Sequence, residues 1–267
     1  MLPLLFLIAT LGRFTAVSGF DYDIEGNLYV VDREASMLVK YSAAGDSLNA
    51  VSGRGTDQLQ FDSPVAVFAR RGTDVYVADQ MNHRIQRFNH NLDYVSTLAT
   101  RDDTDERNRF GYPRDVAVTR QGEVLVVDGE NRRVVKFNAF GRVDRTFGDI
   151  SSGAGRLVDP VAVETDSRDF VYVLDDGRIA IFDPFGSYLA DVGLPLDGAP
   201  LGFSIDRDTL VVADTADFAI IDLAAPRVVA VDRLPESRPT LLRLVGGLMV
   251  AAEGRRIGVY RLDGLNP

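Results

Sequence analysis

The chain has 267 residues, 46% of them hydrophobic, which is enough to build a substantial core. It contains no cysteine, so disulfide bonds and thiolate chemistry are excluded. The formal net charge of −10 opposes nonspecific binding to polyanions such as nucleic acid or anionic lipid.

The first predicted element lies in the apolar segment 1–18, which is too short to span a bilayer as a helix. One interpretation is a secretory signal peptide, with the small residues of Ala16–Ser18 at the cleavage site. The other is a β-strand over Leu4–Leu11 that pairs with the last strand of the chain. The first interpretation predicts an exported protein, periplasmic or extracellular, and the second predicts a cytoplasmic one.

Residues 19–267 repeat one short phrase, an apolar strand that ends in a carboxylate. The carboxylates, separated by 47, 49, 47, 39 and 39 residues, are Asp32, Asp79, Asp128, Asp175, Asp214 and Glu253. A period of this size, made of short strands and turns, is typical of a β-propeller. We therefore predict one all-β domain, a six-bladed β-propeller of four-stranded antiparallel blades around a central channel.

The third unit shows the plan of one blade. Pro113–Thr119 is predicted as the inner strand, because proline is tolerated at the first residue of a strand. Glu123–Val127 and Arg133–Asn138 are the second and third strands, and Arg142–Thr146 is the outer one. The last unit has only three strands after Pro239, so a strand from the N-terminus would complete that blade and close the ring.

These units resemble NHL repeats. The resemblance is carried by Phe61–Val67, Val75–Asp79 and Asn82–Phe88, and it recurs at Tyr112–Val118 and Asn131–Phe137. Units two, three and four match the pattern well, whereas units five and six match only in outline. The resemblance implies a six-bladed propeller, but propellers serve as scaffolds, binders and enzymes, so it does not imply one function.

Three of the repeated carboxylates are followed by an arginine a few residues later. The pairs are Asp79 with Arg84, Asp128 with Arg133, and Asp175 with Arg178. They would form either a charged ring with a function or structural ion pairs between strands. We interpret them as structural ion pairs, since a pair that recurs from blade to blade serves the common architecture.

One face of a propeller collects the loops that enter the first strands and the loops that join the second and third strands. On this face the sequence places the candidate binding residues Asn82, His83, Tyr112, Arg114, Asp115, Asn131 and Arg132. Mixed charge together with Tyr and Arg suits recognition of a protein or peptide. The alternative is an ordinary solvated loop face.

No catalytic arrangement is identifiable, and a three-histidine zinc site cannot be built from two histidines. Carboxylates on or beside the channel could bind Ca²⁺, which takes many oxygen ligands; they are Asp21, Asp115, Glu164 and Asp206. Propellers that resemble lactonases hold a metal in this way. We nevertheless expect no metal and no cofactor, because several of these acids end an inner strand and so lie at the opposite, turn-bearing end.

Three functional hypotheses follow. The first is a noncatalytic binding or scaffold propeller that presents one rigid face to a protein, a peptide or a carbohydrate. The second is a metal-dependent hydrolase or lyase in the channel, in the manner of lactonase-like propellers. The third, RNA binding, is known for some members of the repeat family but conflicts with the net charge of −10. No transmembrane helix is predicted.

Overall fold

The computed structural model describes residues 4–11, 14–71, 74–224, 227–233, 241–245, 248–253 and 255–263. These residues form strands arranged in six four-stranded antiparallel sheets, together with two short 3-10 helices, Glu106–Asn108 and Gly153–Gly155. None of the described helices is long and apolar enough to cross a membrane. The prediction of an all-β propeller with four-stranded antiparallel blades is therefore confirmed.

The strands are numbered in chain order, beginning with β1 (Leu4–Leu11). Blade 1 consists of β2 (Val17–Tyr22), β3 (Leu28–Asp32), β4 (Met37–Tyr41) and β5 (Ser47–Ser52). Blade 2 consists of β6 (Pro64–Phe68), β7 (Asp74–Asp79), β8 (Arg84–Asn89) and β9 (Tyr94–Leu98). Blade 3 consists of β10 (Pro113–Val118), β11 (Val124–Asp128), β12 (Arg133–Phe137) and β13 (Val143–Phe147).

Blade 4 consists of β14 (Pro160–Thr165), β15 (Val171–Asp175), β16 (Arg178–Phe182) and β17 (Tyr188–Gly193). Blade 5 consists of β18 (Gly202–Asp206), β19 (Thr209–Ala213), β20 (Asp217–Asp222) and β21 (Arg227–Arg233). Blade 6 consists of β22 (Leu241–Val245), β23 (Leu248–Glu253) and β24 (Arg256–Asp263), with β1 beside β24. The strands predicted for the third unit agree with blade 3 within one residue at each end.

Within blades 1 to 5, the strands are hydrogen-bonded to one another in chain order. The innermost strands β2, β6, β10, β14, β18 and β22 pack side by side in that order, and β22 again lies beside β2. They therefore line a central channel. In blade 6 the outer strand is β1, which runs antiparallel to β24, with Leu4 opposite Asp263 and Leu11 opposite Ile257.

Burial falls from the inside of each blade to its outside. Every residue of β3, β11 and β15 is buried, because neighbouring blades cover both faces of these strands. Most side chains of β5 and β17 are exposed or half-buried. This explains why the second strands are continuous apolar runs in the sequence and do not alternate with polar residues.

Neighbouring blades meet tightly around the channel. A Cβ atom on Gly19 of β2 would lie only 2.8 Å from Cα of Ala66 in β6, so glycine is required at this contact. Farther out, a buried apolar residue stands three positions before each inner-strand proline of blades 2, 3 and 4; these residues are Phe61, Phe110 and Leu157. They fill the space between the blades and fix the segments that lead into the inner strands.

Candidate functional site

The two ends of the channel differ in the loops that surround them. The top face carries the segments that enter the inner strands and the loops that join the second and third strands of each blade. The bottom face carries the turns that join the first and second strands. The predicted binding residues belong to the top face, and most of the predicted channel acids lie toward the bottom face.

On the top face, the repeated carboxylates accept hydrogen bonds from the backbone that enters each blade. The Oδ1 atom of Asp79 accepts from the N–H of Asp62 at 2.7 Å. The Oδ1 atom of Asp128 accepts from the N–H of Gly111 at 3.1 Å. Asp32, Asp175 and Asp214 each accept one or two equivalent bonds. Because these carboxylates are buried, the bonds stabilise the entering segments strongly.

In blades 2, 3 and 4 an arginine completes the arrangement. Arg84 Nε lies 2.8 Å from Asp79 Oδ2, and the same guanidinium donates to the carbonyls of Thr56, Asp57 and Gln60. Arg133 binds Asp128 at 3.0 Å and also the carbonyl of Arg109. Arg178 binds Asp175 at 3.0 Å and the carbonyl of Arg156. Each predicted pair therefore joins the second and third strands to the entering segment, which is the geometry of a structural ion pair.

Asn82 and Asn131, two of the predicted binding residues, also contact the repeated carboxylates. The Nδ2 atom of Asn82 donates to Asp79 Oδ2 and to the carbonyl of Gly55, both at 2.8 Å. The Nδ2 atom of Asn131 donates to Asp128 Oδ2 at 2.8 Å. The sequence predicts that these amides lie in a loop but not that their Nδ2 atoms turn back toward the repeated carboxylate, and their role in binding stays a prediction.

His83 and Tyr112 form the centre of a group that we call the rim cluster, completed by Arg101 and Glu130. The two rings are 4.3 Å apart, edge to face, and the backbone N–H of Tyr112 donates to His83 Nδ1 at 3.0 Å. Arg101 Nη2 lies 3.1 Å from the same Nδ1 and 3.2 Å from Glu130 Oε2. The Arg101 guanidinium also lies 5.8 Å from the centre of the Tyr112 ring.

The contacts of the rim cluster determine the state of the histidine. Both neighbours of His83 Nδ1 are donors, so this nitrogen is an acceptor and the neutral ring carries its proton on Nε2. Partial burial and the positive charge of Arg101 lower the pKa of His83, against the opposing effect of Glu130. Tyr112 remains 41% exposed, with its backbone at a positive φ of 46°. The cluster therefore presents an aromatic ring to solvent on a fixed backbone.

The remaining predicted binding residues lie around the rim cluster with different exposure. Arg114 is half-buried and binds the carboxylate of Asp159 at 2.6 Å. Arg132 is exposed, and its side chain makes no hydrogen bond or ion pair with the residues that the structure describes. Asp115 is only 4% exposed, in contrast to Tyr112 and Arg132.

The carboxylate of Asp115 belongs to the inner-strand packing. It accepts hydrogen bonds from the backbone N–H groups of Val116 and Val163, both at 2.9 Å, and thereby joins β10 to β14. Burial raises the pKa of Asp115 to about 6, although the charge of Arg243 and the hydrogen bond from Val163 oppose this rise. A carboxyl group with this pKa changes its charge just below neutral pH.

The mouth of the channel on the top face forms a cavity of about 600 Å³, which we call the top cavity. Its apolar lining includes Val17, Val65, Val161, Leu201 and Leu241. Its polar lining includes Arg33, Glu34, Gln80, Arg114, Asp115 and Arg243. An apolar cavity with a few charged groups at its edge is the usual form of a ligand pocket.

Deeper in the channel, arginines neutralise two of the predicted channel acids. Arg70 follows β6 and contacts Asp21 of β2 at 3.0 Å and Glu164 of β14 at 2.8 Å. Glu164 also lies 3.3 Å from Arg243 of β22. Burial by itself would lower the pKa of Arg70, but Asp21 and Glu164 outweigh it and the pKa is raised. The guanidinium of Arg70 thus joins blades 1, 2 and 4, and Glu164 links this group to blade 6 through Arg243.

The contacts of the four channel acids are relevant to the alternative hypothesis that the channel binds a metal ion. Within the described part of the chain, no group of three or more His, Cys, Asp or Glu side chains lies close enough together to hold a metal ion. Asp21 and Glu164 face arginines, Asp115 is bound to backbone N–H groups, and Asp206 ends β18 in a half-buried position. Arg70 and Arg243 were not predicted as channel residues; their signal is an arginine in an otherwise apolar inner strand or two residues after it.

Comparison with known proteins supports the repeat interpretation. The sequence profile described as NHL repeat matches residues 110–137, which span the inner three strands of blade 3. The protein brain tumor of Drosophila melanogaster is 29% identical over 143 residues. This match covers 52% of the present chain but only 13% of the Drosophila protein.

Solved structures with the same fold include lyases of low sequence identity. A streptogramin B lyase superposes with a TM-score of 0.71 at 10% identity, with 97% of this chain and 98% of that chain covered. Virginiamycin B lyase from Staphylococcus aureus superposes with a TM-score of 0.66 at 12% identity, with 97% and 100% covered. A catalytically inactive form of the S. aureus lyase with quinupristin gives a TM-score of 0.66 at 11% identity, with 97% and 99% covered.

At these identities the lyases establish the propeller fold and nothing about chemistry. The sequence profile and the Drosophila relative point to the same repeat that the residues of units two to four predicted. The resemblance to NHL-repeat proteins is thereby confirmed, and the chain carries an NHL repeat at residues 110–137.

Proposed function

We propose that this protein is a noncatalytic binding propeller whose top face recognises a protein or peptide partner. The observation that carries the proposal is the exposed Tyr112 ring of the rim cluster beside the top cavity of about 600 Å³. Tyrosine and arginine supply most of the binding energy at many interfaces. The ring is already held by His83 and Arg101, so little conformational entropy is lost when a partner binds.

The top cavity suits one side chain or chain end of such a partner. Its apolar lining would cover a hydrophobic group, and Arg33 and Glu34 lie at its edge with opposite charges. Arg114 lines the same cavity and is held by Asp159. The mixture of charges favours a peptide over a polyanion such as RNA, since a polyanion requires a mainly positive face.

The proposal includes a closed ring of six blades completed by β1. The six sheets and the contact of β22 with β2 support this closure, and the pairing of β1 with β24 would remove the exposed edge of the last blade. A retained strand accords with a cytoplasmic protein, and a cleaved segment accords with export. The intact mass of the protein purified from its own cells distinguishes the two, because cleavage removes the residues of β1.

An enzyme working in the channel is the second candidate, and the lyases of the same fold are the reason to consider it. The channel acids support it poorly, because Asp21 and Glu164 are engaged by Arg70 and no described cluster of ligating side chains fits a metal. The binding function therefore stands first.

A peptide library screened on the immobilised protein tests the binding function. We expect selected peptides to bind wild type and to lose at least tenfold in affinity on Tyr112→Ala. Phe140→Ala is the matched control, because Phe140 is a 90% exposed aromatic ring at the other end of the strands. A screen that enriches no peptide, or peptides that bind Tyr112→Ala as tightly as wild type, would contradict the proposal.

A further inference from the structure

The bottom face contains a second cavity, of about 280 Å³, which we call the bottom cavity. Arginines from the first turns of three blades line it: Arg70 and Arg71 of blade 2, Arg120 of blade 3 and Arg207 of blade 5. The segment Thr165–Ser167 of blade 4 completes the wall, together with Ile205. Four guanidinium groups at one cavity are unusual in a chain whose net charge is −10.

Only one of these four arginines is fully neutralised. Arg70 is paired with Asp21 and Glu164. Arg71 lies 4.0 Å from its nearest carboxylate oxygen, on Asp169, and its bonds to the Thr165 hydroxyl and to the Asp166 carbonyl are both 3.3 Å long. All three contacts of Arg71 are therefore longer than the two ion pairs of Arg70.

Arg120 and Arg207 have no carboxylate partner among the described residues. Arg120 Nη1 donates to the carbonyl of Ser167 at 2.9 Å, which leaves its charge uncompensated. The Arg207 side chain is exposed and makes no hydrogen bond or ion pair within the described ranges. The φ of Arg207 is 54°, a positive value set by the turn that directs the residue toward this end of the channel.

Two carboxylates of the neighbouring turns, Asp166 and Asp169, make their shortest contacts to groups other than the cavity guanidinium groups. Asp166 accepts from the Arg168 guanidinium at 2.8 Å and from the backbone N–H groups of Arg168 and Phe170. Asp169 Oδ1 accepts from the backbone N–H of Arg120 at 2.8 Å. Burial lowers the pKa of Arg71, and the like charges of Arg70 and Arg120 lower it further against Asp169. Arg120 and Arg207 are therefore the two cavity arginines without a carboxylate partner among the described residues.

We propose that the bottom cavity binds an anion of the phosphate class, either inorganic phosphate or the phosphate monoester of a small molecule. Arg71, Arg120 and Arg207 approach from three different turns, so they can contact different oxygens of one tetrahedral group. A ligand with a carboxylate group fits this arrangement less well, because its two oxygens can both be bound by a single guanidinium. The Thr165 hydroxyl at the wall is a further donor. This site is separate from the top face and does not depend on the function proposed for it.

Isothermal titration calorimetry tests the proposal. The probes are inorganic phosphate and phosphoserine, each titrated in a chloride buffer of matched ionic strength. We expect saturable binding to wild type and at least a fivefold loss of affinity in Arg120→Gln and in Arg207→Gln. Arg142→Gln, which removes an exposed arginine from a hairpin tip of blade 3, is the matched control and should bind as wild type does. Direct titration is preferable to thermal shift, because phosphate stabilises many proteins without binding them.

The two probes distinguish the source of the phosphate group. Tighter binding of phosphoserine indicates an organic ligand that also contacts the cavity wall, and equal or weaker binding indicates phosphate itself. Both outcomes support the site. Binding that is lost equally in Arg142→Gln, or that persists unchanged in Arg207→Gln, would show only general attraction to surface charge and would overturn the proposal. Because Arg207 is exposed, its replacement leaves the fold intact.

Discussion

Two sets of buried charges hold this propeller together, and they differ in reach. The repeat set consists of the pairs Asp79–Arg84, Asp128–Arg133 and Asp175–Arg178, whose members lie within five residues of each other. In the channel set, Arg70 joins Asp21 and Glu164, which lie 49 and 94 residues away. The repeat set secures loops to their own blades, whereas the channel set secures blades to one another.

This difference shows how to separate the residues that the repeat architecture requires from the residues that are particular to one blade. A charge that recurs in every unit is accounted for by the architecture of the unit. A contact that occurs once, such as the pairing of Arg70 with Asp21 and Glu164, is not repeated in the other blades and is explained only by its surroundings.

The largest expected effect is on the channel set. Arg70→Met leaves Asp21 without a cation, with its side chain 2% exposed, and weakens the pairing of Glu164. Breaking a buried ion pair by removing one partner costs about 3 to 5 kcal/mol of unfolding free energy. Urea denaturation of the two proteins measures this loss.

A double variant is the control for that prediction. Arg70→Met combined with Asp21→Asn removes the uncompensated charge on blade 1, while Glu164 keeps its contact with Arg243. We expect the double variant to be more stable than Arg70→Met alone. A loss below about 1 kcal/mol in the single variant would mean that solvent already screens the pair and that the channel set contributes little.

The contribution of the arginine to the repeat set is measured by the same substitution at two repeated carboxylates, one inside the set and one outside it. Asp128→Asn removes the charge that Arg133 faces, whereas Asp214 of blade 5 accepts only backbone N–H groups. We expect losses of about 3 kcal/mol for Asp128→Asn and about 1 kcal/mol for Asp214→Asn, measured by denaturation. Equal losses would show that the arginine adds nothing to the backbone bonds.

The pH dependence of stability probes Asp115, which lies near the channel set. Because burial raises its pKa to about 6 in the folded state, the native protein binds this proton more tightly than the unfolded chain does. The contribution of Asp115 to stability is therefore full below about pH 4 and is lost as the pH rises through about 6. The stability of wild type relative to Asp115→Asn should fall across this range in denaturation curves, and a flat difference would contradict the assignment.

The smallest effect is expected at the rim cluster, which belongs to neither set. Tyr112 is 41% exposed, so Tyr112→Ala should change the unfolding free energy by no more than about 0.5 kcal/mol. Together with a loss of partner binding, this result would separate recognition from architecture. If Tyr112→Ala instead lowered the unfolding free energy by several kcal/mol in urea denaturation, the His83–Tyr112 contact would be part of the architecture.

The sequence by itself determined the features that act over short distances. The strands of blade 3 and the three Asp–Arg pairs are encoded within single units, so periodicity and spacing suffice to predict them. The apolar second strands are recognisable for the same reason, because burial on both faces requires an uninterrupted apolar run. The repeat also predicted a loop face that includes Tyr112 and Arg114, and their role in binding stays a prediction.

Only the tertiary structure decided which side chains on that face are available and how the channel is filled. Asp115, Asn82 and Asn131 occur in loop-like patterns, yet each is held by a partner that the pattern does not show. Arg70 and Glu164 are brought together from blades 2 and 4 across the channel axis. The physical reason is that a repeat fixes contacts within a blade, whereas contacts across the channel depend on closing the ring, which brings distant parts of the chain together.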